Sequence, residues 1–181
     1  MANIWIIGAG GIAIEYTKVL KALNKEFITI GRGHNSAVSY YEATGIKPIE
    51  GGLDEFIETR PEIPEYAIIA VNVEFLAETT ISLMKCGVKN IFCEKPGFND
   101  PSELDDVVGV AKETGANVFY AYNRRFFASV LEAEKIIKED GRAFNGASIP
   151  PLHIYFIAKD WAEFPIRIIC CGNDTGSGAL R

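Results

Sequence analysis

Apolar and polar positions alternate along the chain in blocks that predict strands and helices in turn. Short runs rich in apolar and β-branched residues predict strands at Ile4–Ile7, Phe27–Ile30, Lys47–Ile49, Tyr66–Val71, Asn90–Cys93 and Asn117–Ala121. Helical patterns between and after them predict helices at Gly11–Leu23, Ser36–Thr44, Leu53–Thr59, Phe75–Lys85, Ser102–Glu113 and Phe127–Lys138. Strands that are apolar throughout and separated by helices belong to a parallel sheet covered on both faces. The pattern of residues 1–141 therefore predicts an α/β fold with a doubly wound parallel sheet, a Rossmann domain.

The ends of two predicted helices carry sequence signals. Gly87 is the expected stop of the helix Phe75–Lys85, because glycine readily adopts the left-handed conformation that ends a helix. Asp100 and Ser102 are the candidates for capping the start of the next helix.

The chain changes in character after Gly141. Residues 142–181 contain four bases and three acids, against 14 and 21 in residues 1–141. Strands are predicted here at His153–Ile157 and Arg167–Cys171, without a clear helix. A tail of about 40 residues is too small for a second independent core. It is expected to pack on domain 1–141 or on a partner chain, where it would support a homo-oligomer, or to stay partly mobile.

The composition limits the classes of partner. The chain has 181 residues, 48% of them apolar, and its acids and bases are interspersed to a formal charge of −6. A nucleic-acid partner is not expected, because phosphate neutralisation needs a basic face. No window approaches the roughly 18 to 20 apolar residues of a membrane span. The first residues lack the basic region of a signal peptide.

The cysteines indicate neither a metal site nor a disulfide framework. Cys86, Cys93, Cys170 and Cys171 form no C-x-x-C pair, and the two histidines are distant from them in sequence. No metal is therefore expected. Free thiols favour a reducing, cytoplasmic location.

The segment GAGGIA, residues 8–13, lies between the first predicted strand and the first predicted helix. In that context the pattern G-x-G-x-x-G/A is typical of dinucleotide binding. Gly8 would form the tight turn, Gly10 would let a pyrophosphate approach the backbone, and Ala13 would let helix and strand pack closely. The N–H groups at the helix start, around Gly11 and Ile12, favour anionic phosphates. The alternative is a tight strand–helix turn that binds no ligand.

The segment TIGRGHNS, residues 29–36, ends the second predicted strand, where domains that prefer NAD usually carry Asp or Glu. It contains no acid. Gly31 leaves room, Arg32 can stack on adenine and pair with a 2′-phosphate, and further donors follow at His34, Asn35 and Ser36. The pattern predicts NADP as cofactor, with NAD as second choice. The alternative for Arg32 is a solvated surface arginine.

Three segments in order resemble the N-terminal half of the Gfo/Idh/MocA oxidoreductases, the glucose–fructose oxidoreductase and inositol dehydrogenase family. They are GAGGIA at 8–13, CEKPG at 93–97 and YAYNRRF at 120–126. The resemblance implies NAD(P)-dependent hydride transfer to or from a small-molecule substrate, a sugar, a cyclitol or a related polyol or carbonyl compound.

The same resemblance implies roles for the segment IFCEKPG, residues 91–97. Glu94 would hold the nicotinamide ribose, and Lys95 would face the substrate carbon that exchanges hydride. The chemistry agrees, because a cation beside an alcohol or carbonyl oxygen stabilises a developing alkoxide and can take part in a proton relay. Pro96 has a fixed φ and restricts Lys95 to extended conformations. The alternative is an ion pair at a strand end, followed by a turn proline.

Further positions carry over from the family. Val71 and Asn72 would line the riboses, whereas Phe75 stands where the family often has a histidine. Arg124 would lie at the boundary of the cofactor site, although NRRF can also be a helix start with solvated arginines. The candidate catalytic residue is Lys95, and the candidate cofactor-binding residues are Gly8, Gly10, Gly11, Ile12, Gly31, Arg32, Ser36, Val71, Asn72, Glu94, Lys95 and Arg124.

The resemblance does not extend into residues 142–181. Family members usually continue into a second α/β domain that supplies the substrate pocket and a histidine for proton transfer. His153 lacks an accompanying acid and is expected to be structural. A truncated chain and a naturally short family member both remain open. The expected function is that of an NADP(H)-dependent oxidoreductase, and the alternative is a non-catalytic dinucleotide-binding module, a redox sensor or one part of a hetero-oligomer.

Overall fold

The computed structural model describes residues 3–122, 127–140 and 166–167 of the chain. Within these residues, six parallel strands form one sheet in the order β2-β1-β3-β4-β5-β6. The strands are β1 Ile4–Ile7, β2 Phe27–Ile30, β3 Tyr66–Ile69, β4 Asn90–Glu94, β5 Asn117–Ala121 and β6 Ile166–Arg167. The chain reaches β2 on one side of β1 and β3 on the other, so the direction of winding reverses beside β1.

Helices connect successive strands. They are α1 Gly11–Ala22, α2 His34–Thr44, α3 Gly52–Glu58, α4 Leu76–Cys86, α5 Pro101–Thr114 and α6 Ala128–Asp140. One turn of 3-10 helix, Val73–Phe75, immediately precedes α4.

Alternate strand residues belong to two separate cores. In β1, Trp5 and Ile7 pack into a core with side chains of α3, α4 and α5, whereas Ile4 and Ile6 pack into another with side chains of α1 and α2. Successive side chains of a strand point to opposite faces of the sheet. Helices therefore cover both faces, and the predicted doubly wound parallel sheet is confirmed.

The ends of α4 and α5 follow the local sequence. Gly87 ends α4 in the left-handed conformation, with φ +111°, as predicted. The side chain of Asp100 accepts a hydrogen bond from the backbone N–H of Ser102 at 2.9 Å. The side chain of Glu103 accepts one from the backbone N–H of Asp100 at 3.2 Å, which completes a capping box. Of the two candidates, Asp100 is thus the cap.

The prediction of a third strand at Lys47–Ile49 is wrong. Ile49 forms an isolated parallel bridge with Ile30, and the pairing does not extend along the segment. The N–H of Ile49 donates to the carbonyl of Thr29, and the carbonyl of Ile49 accepts from the N–H of Gly31, both at 2.8 Å. Two residues later Gly51 has φ +105° and Gly52 has φ +88°, so the chain leaves the extended conformation before a second residue can pair.

Several sequence-based expectations lie outside the described residues. They include the predicted strand His153–Ile157, most of the predicted strand Arg167–Cys171, and the candidate residue Arg124 in NRRF. The described part of residues 142–181 is β6, which pairs in parallel with β5 through Ile166–Val118 and Arg167–Phe119. In the described part of the chain, no helix has the length and apolar content needed to cross a membrane.

Candidate active site

The carboxyl ends of the parallel strands bring the predicted motifs to one edge of the sheet. The register pairs Ile7 with both Ile30 and Ile69, and Glu94 with Ala121. The loops after β1, β2, β3 and β4 therefore leave the sheet side by side. Neighbouring strands are about 4.8 Å apart, so the loops after β2 and β4 are separated by about 14 Å along this edge. Ligands of open α/β sheets bind at this edge, where the winding reverses.

Gly8 forms the tight turn between β1 and α1. Its φ is +115°, and a Cβ at this position would overlap the carbonyl oxygen of Ala70 and lie 2.8 Å from the carbonyl carbon. Its N–H donates to the carbonyl of Ile30 at 2.8 Å. Both the positive φ and the close approach of the loop after β3 require a residue without a Cβ.

The start of α1 is open to a ligand. Gly10 precedes the helix in an extended conformation, no side chain caps the helix, and its first turn contains no acid. A Cβ on Gly10 or on Gly11 would have no heavy atom within 4 Å. The first N–H groups of a helix lack partners within it, so those near Gly11 and Ile12 suit phosphate oxygens. Ala13 is fully buried, which allows the helix to pack closely on the sheet.

Glu94, at the end of β4, is held by two donors. The hydroxyl of Tyr16 in α1 donates to Oε1 at 2.6 Å, and the backbone N–H of Lys95 donates to Oε2 at 3.2 Å. The ring of Tyr16 packs edge-to-face on Phe92, with the ring centroids 5.9 Å apart. The carboxylate thus links the helix that begins at the glycine loop to the segment that carries Lys95. Sequence reasoning missed Tyr16, because a tyrosine within an amphipathic helix carries no signal for a partner 78 residues away.

The segment after β4 turns back over β5. The Lys95–Pro96 peptide bond is cis, and Gly97 has φ +93°. A Cβ on Gly97 would overlap the ring of Tyr120, so this turn packs directly on β5. The hydroxyl of Tyr122 donates to the carbonyl of Pro96 at 3.0 Å. Lys95 is exposed, and its Nζ makes no hydrogen bond or ion pair with the described residues.

The interior behind Glu94 is buried and uncharged near neutral pH. Burial raises the pKa of the Cys93 thiol to about 12, and the hydroxyl of Thr80 donates to its Sγ at 3.7 Å. Burial also raises the pKa values of Tyr120 and Tyr122. The hydroxyl of Tyr120 has no hydrogen-bond partner among the described residues. Among the described residues of this segment, the ionisable side chains outside that interior are Glu94 and Lys95.

Arg32 bridges two loops at the adenosine end of the candidate site. Its guanidinium carbon lies 4.2 Å from the centroid of the Phe75 ring, a cation–π contact. Phe75 ends the 3-10 turn after β3, so the contact joins the loops after β2 and β3. Arg32 is exposed and accessible to an anion. Gly31 packs against Ala9, whose Cβ would lie 2.9 Å from a Cβ at residue 31.

The remaining candidates vary in position. Ser36 lies in the first turn of α2, and its hydroxyl donates to the carbonyl of Gly33 at 2.8 Å. Val71 and Asn72 follow β3 at the same sheet edge, and the Asn72 carbonyl accepts from the N–H of Phe75 at 3.0 Å.

No group of three or more potential metal ligands occurs within residues 3–122, 127–140 and 166–167.

The structure adds a carboxylate to this neighbourhood that residues 29–36 do not contain. Nδ1 of His34 lies 2.9 Å from Oε2 of Glu50. Sequence reasoning missed Glu50, because it follows the failed strand 47–49 rather than the second strand.

The open parallel sheet, with a glycine turn at its switch point, defines a dinucleotide-binding α/β protein. The sequence model of the GFO_IDH_MocA family, described as an oxidoreductase family with an NAD-binding Rossmann fold, matches residues 2–122. The chain therefore belongs to the Gfo/Idh/MocA oxidoreductase family, as its ordered motifs predicted.

Individual relatives agree with this assignment. An uncharacterized oxidoreductase of Streptococcus pneumoniae is 24% identical over 139 residues, which are 77% of this chain and 37% of the relative. The WlbA dehydrogenase of Bordetella pertussis, solved with NADH and UDP-GlcNAcA, is 16% identical with a TM-score of 0.64, over 75% of this chain and 42% of its own. A 3-ketoreductase of Actinomadura kijaniata, solved with TDP-benzene and NADP, is 19% identical with a TM-score of 0.62. The match covers 75% of this chain and 42% of the ketoreductase.

These structural likenesses show the fold. The chain spans 37% of the pneumococcal relative and 42% of each of the two solved proteins. The Bordetella dehydrogenase was solved with NADH and the Actinomadura ketoreductase with NADP.

Proposed function

We propose that the chain is an NAD(P)-dependent oxidoreductase of the Gfo/Idh/MocA type. It would transfer hydride between the nicotinamide and a carbon of a sugar, a cyclitol or a related polyol or carbonyl compound. The observation that carries the proposal is the Tyr16–Glu94 hydrogen bond of 2.6 Å, which joins the phosphate-binding helix to the segment bearing Lys95. Both parts of the proposed site thus belong to one rigid edge of the sheet.

The chain's own groups fit a dinucleotide along this edge. The N–H groups around Gly10, Gly11 and Ile12 would bind the pyrophosphate, since the space above them is open and uncapped. Val71, Asn72 and Glu94 would contact the riboses between there and β4. The nicotinamide, when bound, supplies or accepts the hydride.

Lys95 is the proposed catalytic residue. Its ammonium is exposed and uncommitted within the described residues, so it can donate to a substrate oxygen. A positive charge at that oxygen stabilises the alkoxide that develops as hydride leaves or arrives. Glu94 fixes the backbone of Lys95 through the 3.2 Å hydrogen bond to its N–H.

Arg32 supports NADP(H) as the preferred cofactor, with NAD(H) second. Its guanidinium is exposed at the end of β2 and is oriented by Phe75. The planar, doubly donating guanidinium matches phosphate geometry. Fluorescence titration with NADPH and NADH tests the cofactor, and Arg32→Ala is expected to lose the preference for NADPH. An unchanged ratio of dissociation constants in that variant would refute the assignment.

Turnover is tested with a panel of sugars and polyols, in both directions, with each nicotinamide cofactor. Lys95→Ala is expected to abolish turnover while cofactor affinity changes little, because its ammonium acts on the substrate. Equal turnover by parent and Lys95→Ala would exclude Lys95 as the catalytic residue.

A dinucleotide-binding module without turnover is the second candidate. The observation in its favour is that the matching family model is described by its NAD-binding Rossmann fold, which specifies cofactor binding over residues 2–122. Tight cofactor binding without turnover across the panel would support this function instead.

A further inference from the structure

Residues 49–52 form the outer wall of the loop that follows β2. The N–H of Gly31 donates to the carbonyl of Ile49 at 2.8 Å, and the N–H of Gly52 donates to the carbonyl of Gly31 at 3.0 Å. Glu50 lies between these two hydrogen bonds in sequence. The backbone therefore places Glu50 beside the loop proposed to hold the adenosine ribose, although 19 residues separate it from Gly31.

The side chain of Glu50 turns toward the start of α2. Its Oε2 lies 2.9 Å from Nδ1 of His34, and the two side chains are 39% and 74% exposed. An ionised carboxylate can only accept, so Nδ1 carries the proton in this contact. The other carboxylate oxygen of Glu50, Oε1, makes no hydrogen bond with the described residues and can accept one from a ligand. Acceptors match ribose hydroxyl groups and oppose a phosphate.

Residues 49–52 also contact one positively and one negatively charged side chain. The methylene groups of Arg32 pass Gly52, with Cγ 3.6 Å from the position of a Cβ there. A carboxylate oxygen of Glu55 lies against Gly51. Two carboxylates thus accompany the one guanidinium named at this end of the site.

We propose that Glu50 and His34 form a specificity-determining pair for the adenosine half of the dinucleotide. The pair accepts hydrogen bonds from the ribose hydroxyls of NAD(H) and weakens the binding of the 2′-phosphate that Arg32 attracts. It supplies the acid that residues 29–36 lack, from a different segment of the chain. This inference rests on the proposed dinucleotide binding.

The test is the ratio of dissociation constants for NADPH and NADH, measured by fluorescence titration of the full chain. Glu50→Gln keeps the shape of the side chain and removes its charge. Exposed charge pairs are weak individually, and a phosphate carries nearly two charges, so NADPH is expected to bind about three- to tenfold more tightly. NADH should bind equally or more weakly. Glu42→Gln, on the exposed surface of α2, removes the same charge elsewhere and should leave the ratio unchanged.

A second variant shows whether the two residues act together. In a His34→Gln background, Glu50→Gln should change the ratio less than in the parent, because the partner that transmits part of its effect is gone. The proposed role of the pair is overturned if Glu50→Gln leaves the ratio of the NADPH and NADH dissociation constants unchanged. It is also overturned if Glu50→Gln changes this ratio no more than Glu42→Gln does. If Glu50→Gln has its full effect without His34, the carboxylate acts alone and the pair is likewise overturned. Failure of the folded parent to bind either dinucleotide would remove the proposed function itself, a result distinct from an unchanged ratio.

Discussion

Gly8 and Gly10 lie in the same loop, yet alanine at these two positions should fail in different ways. At Gly8, alanine must adopt φ +115° with its Cβ inside the contact distance of the Ala70 carbonyl. At Gly10 the backbone is extended, with φ −89° and ψ −174°, and a Cβ meets no atom within 4 Å. Gly8→Ala is therefore expected to lower the stability of the fold, whereas Gly10→Ala is expected to weaken ligand binding.

The magnitudes follow from these two geometries. Strained backbone at Gly8 costs about 1–3 kcal/mol, and displacement of a packed neighbour costs about 1–3 kcal/mol more. Alanine recovers about 0.4–1 kcal/mol through the unfolded chain, so Gly8→Ala should lower the free energy of unfolding by about 1–5.6 kcal/mol. At Gly10 the same entropic gain opposes a small loss at the helix cap, and the net change should stay within about 1 kcal/mol.

Urea unfolding followed by circular dichroism measures the stability of both variants, and NADPH titration measures their affinity. Gly10→Ala should bind NADPH at least tenfold more weakly, about 1.4 kcal/mol, because its methyl group occupies the space proposed for the pyrophosphate. Equal unfolding midpoints for Gly8→Ala and the parent would refute the steric argument. A Gly10→Ala variant that is as unstable as Gly8→Ala, or that binds NADPH like the parent, would refute the separation of roles.

Three further predictions concern Tyr16, which bonds to Glu94, and the neighbouring Cys93. Tyr16→Phe keeps the ring contact with Phe92 but removes the donor to Glu94, so it should destabilise the chain by about 1–2 kcal/mol and weaken cofactor binding. Tyr41→Phe, an exposed tyrosine on α2, is the matched control in urea unfolding, and equal effects of the two variants would contradict a special role for the Tyr16 hydroxyl. Cys93, with a thiol pKa of about 12, should resist iodoacetamide at pH 8 in the native chain, whereas the half-buried Cys86 should react faster. Peptide mass spectrometry measures both rates, and rapid labelling of native Cys93 would show that it is not buried. Because the thiol ionises only in the unfolded chain, Cys93 should also make stability fall as the pH rises from 9 toward about 12.

Most of the fold and the position of the glycine loop followed from local sequence. Continuous apolar runs separated by helical patterns are sufficient for a doubly wound parallel sheet, because each strand must be covered on both faces. The predicted strand Lys47–Ile49 failed because the backbone turns at Gly51 and Gly52, just after the single bridge at Ile49. The glycine loop could be recognised because the requirement at Gly8 is a backbone property, and backbone requirements limit the residue type directly.

Tertiary structure alone decided which side chains meet at the site. Tyr16 reaches Glu94 across 78 residues, and His34 meets Glu50 across 16. Neither partner is marked by periodicity or by a turn signal, since both contacts arise where separate loops meet at one sheet edge. The segment IFCEKPG, residues 91–97, shows what the sequence predicts and what only the tertiary structure decides. Its sequence predicted an acid and a base at a strand end, but only the packing of Gly97 on Tyr120 and the hydrogen bond from Tyr16 show how that strand end is held.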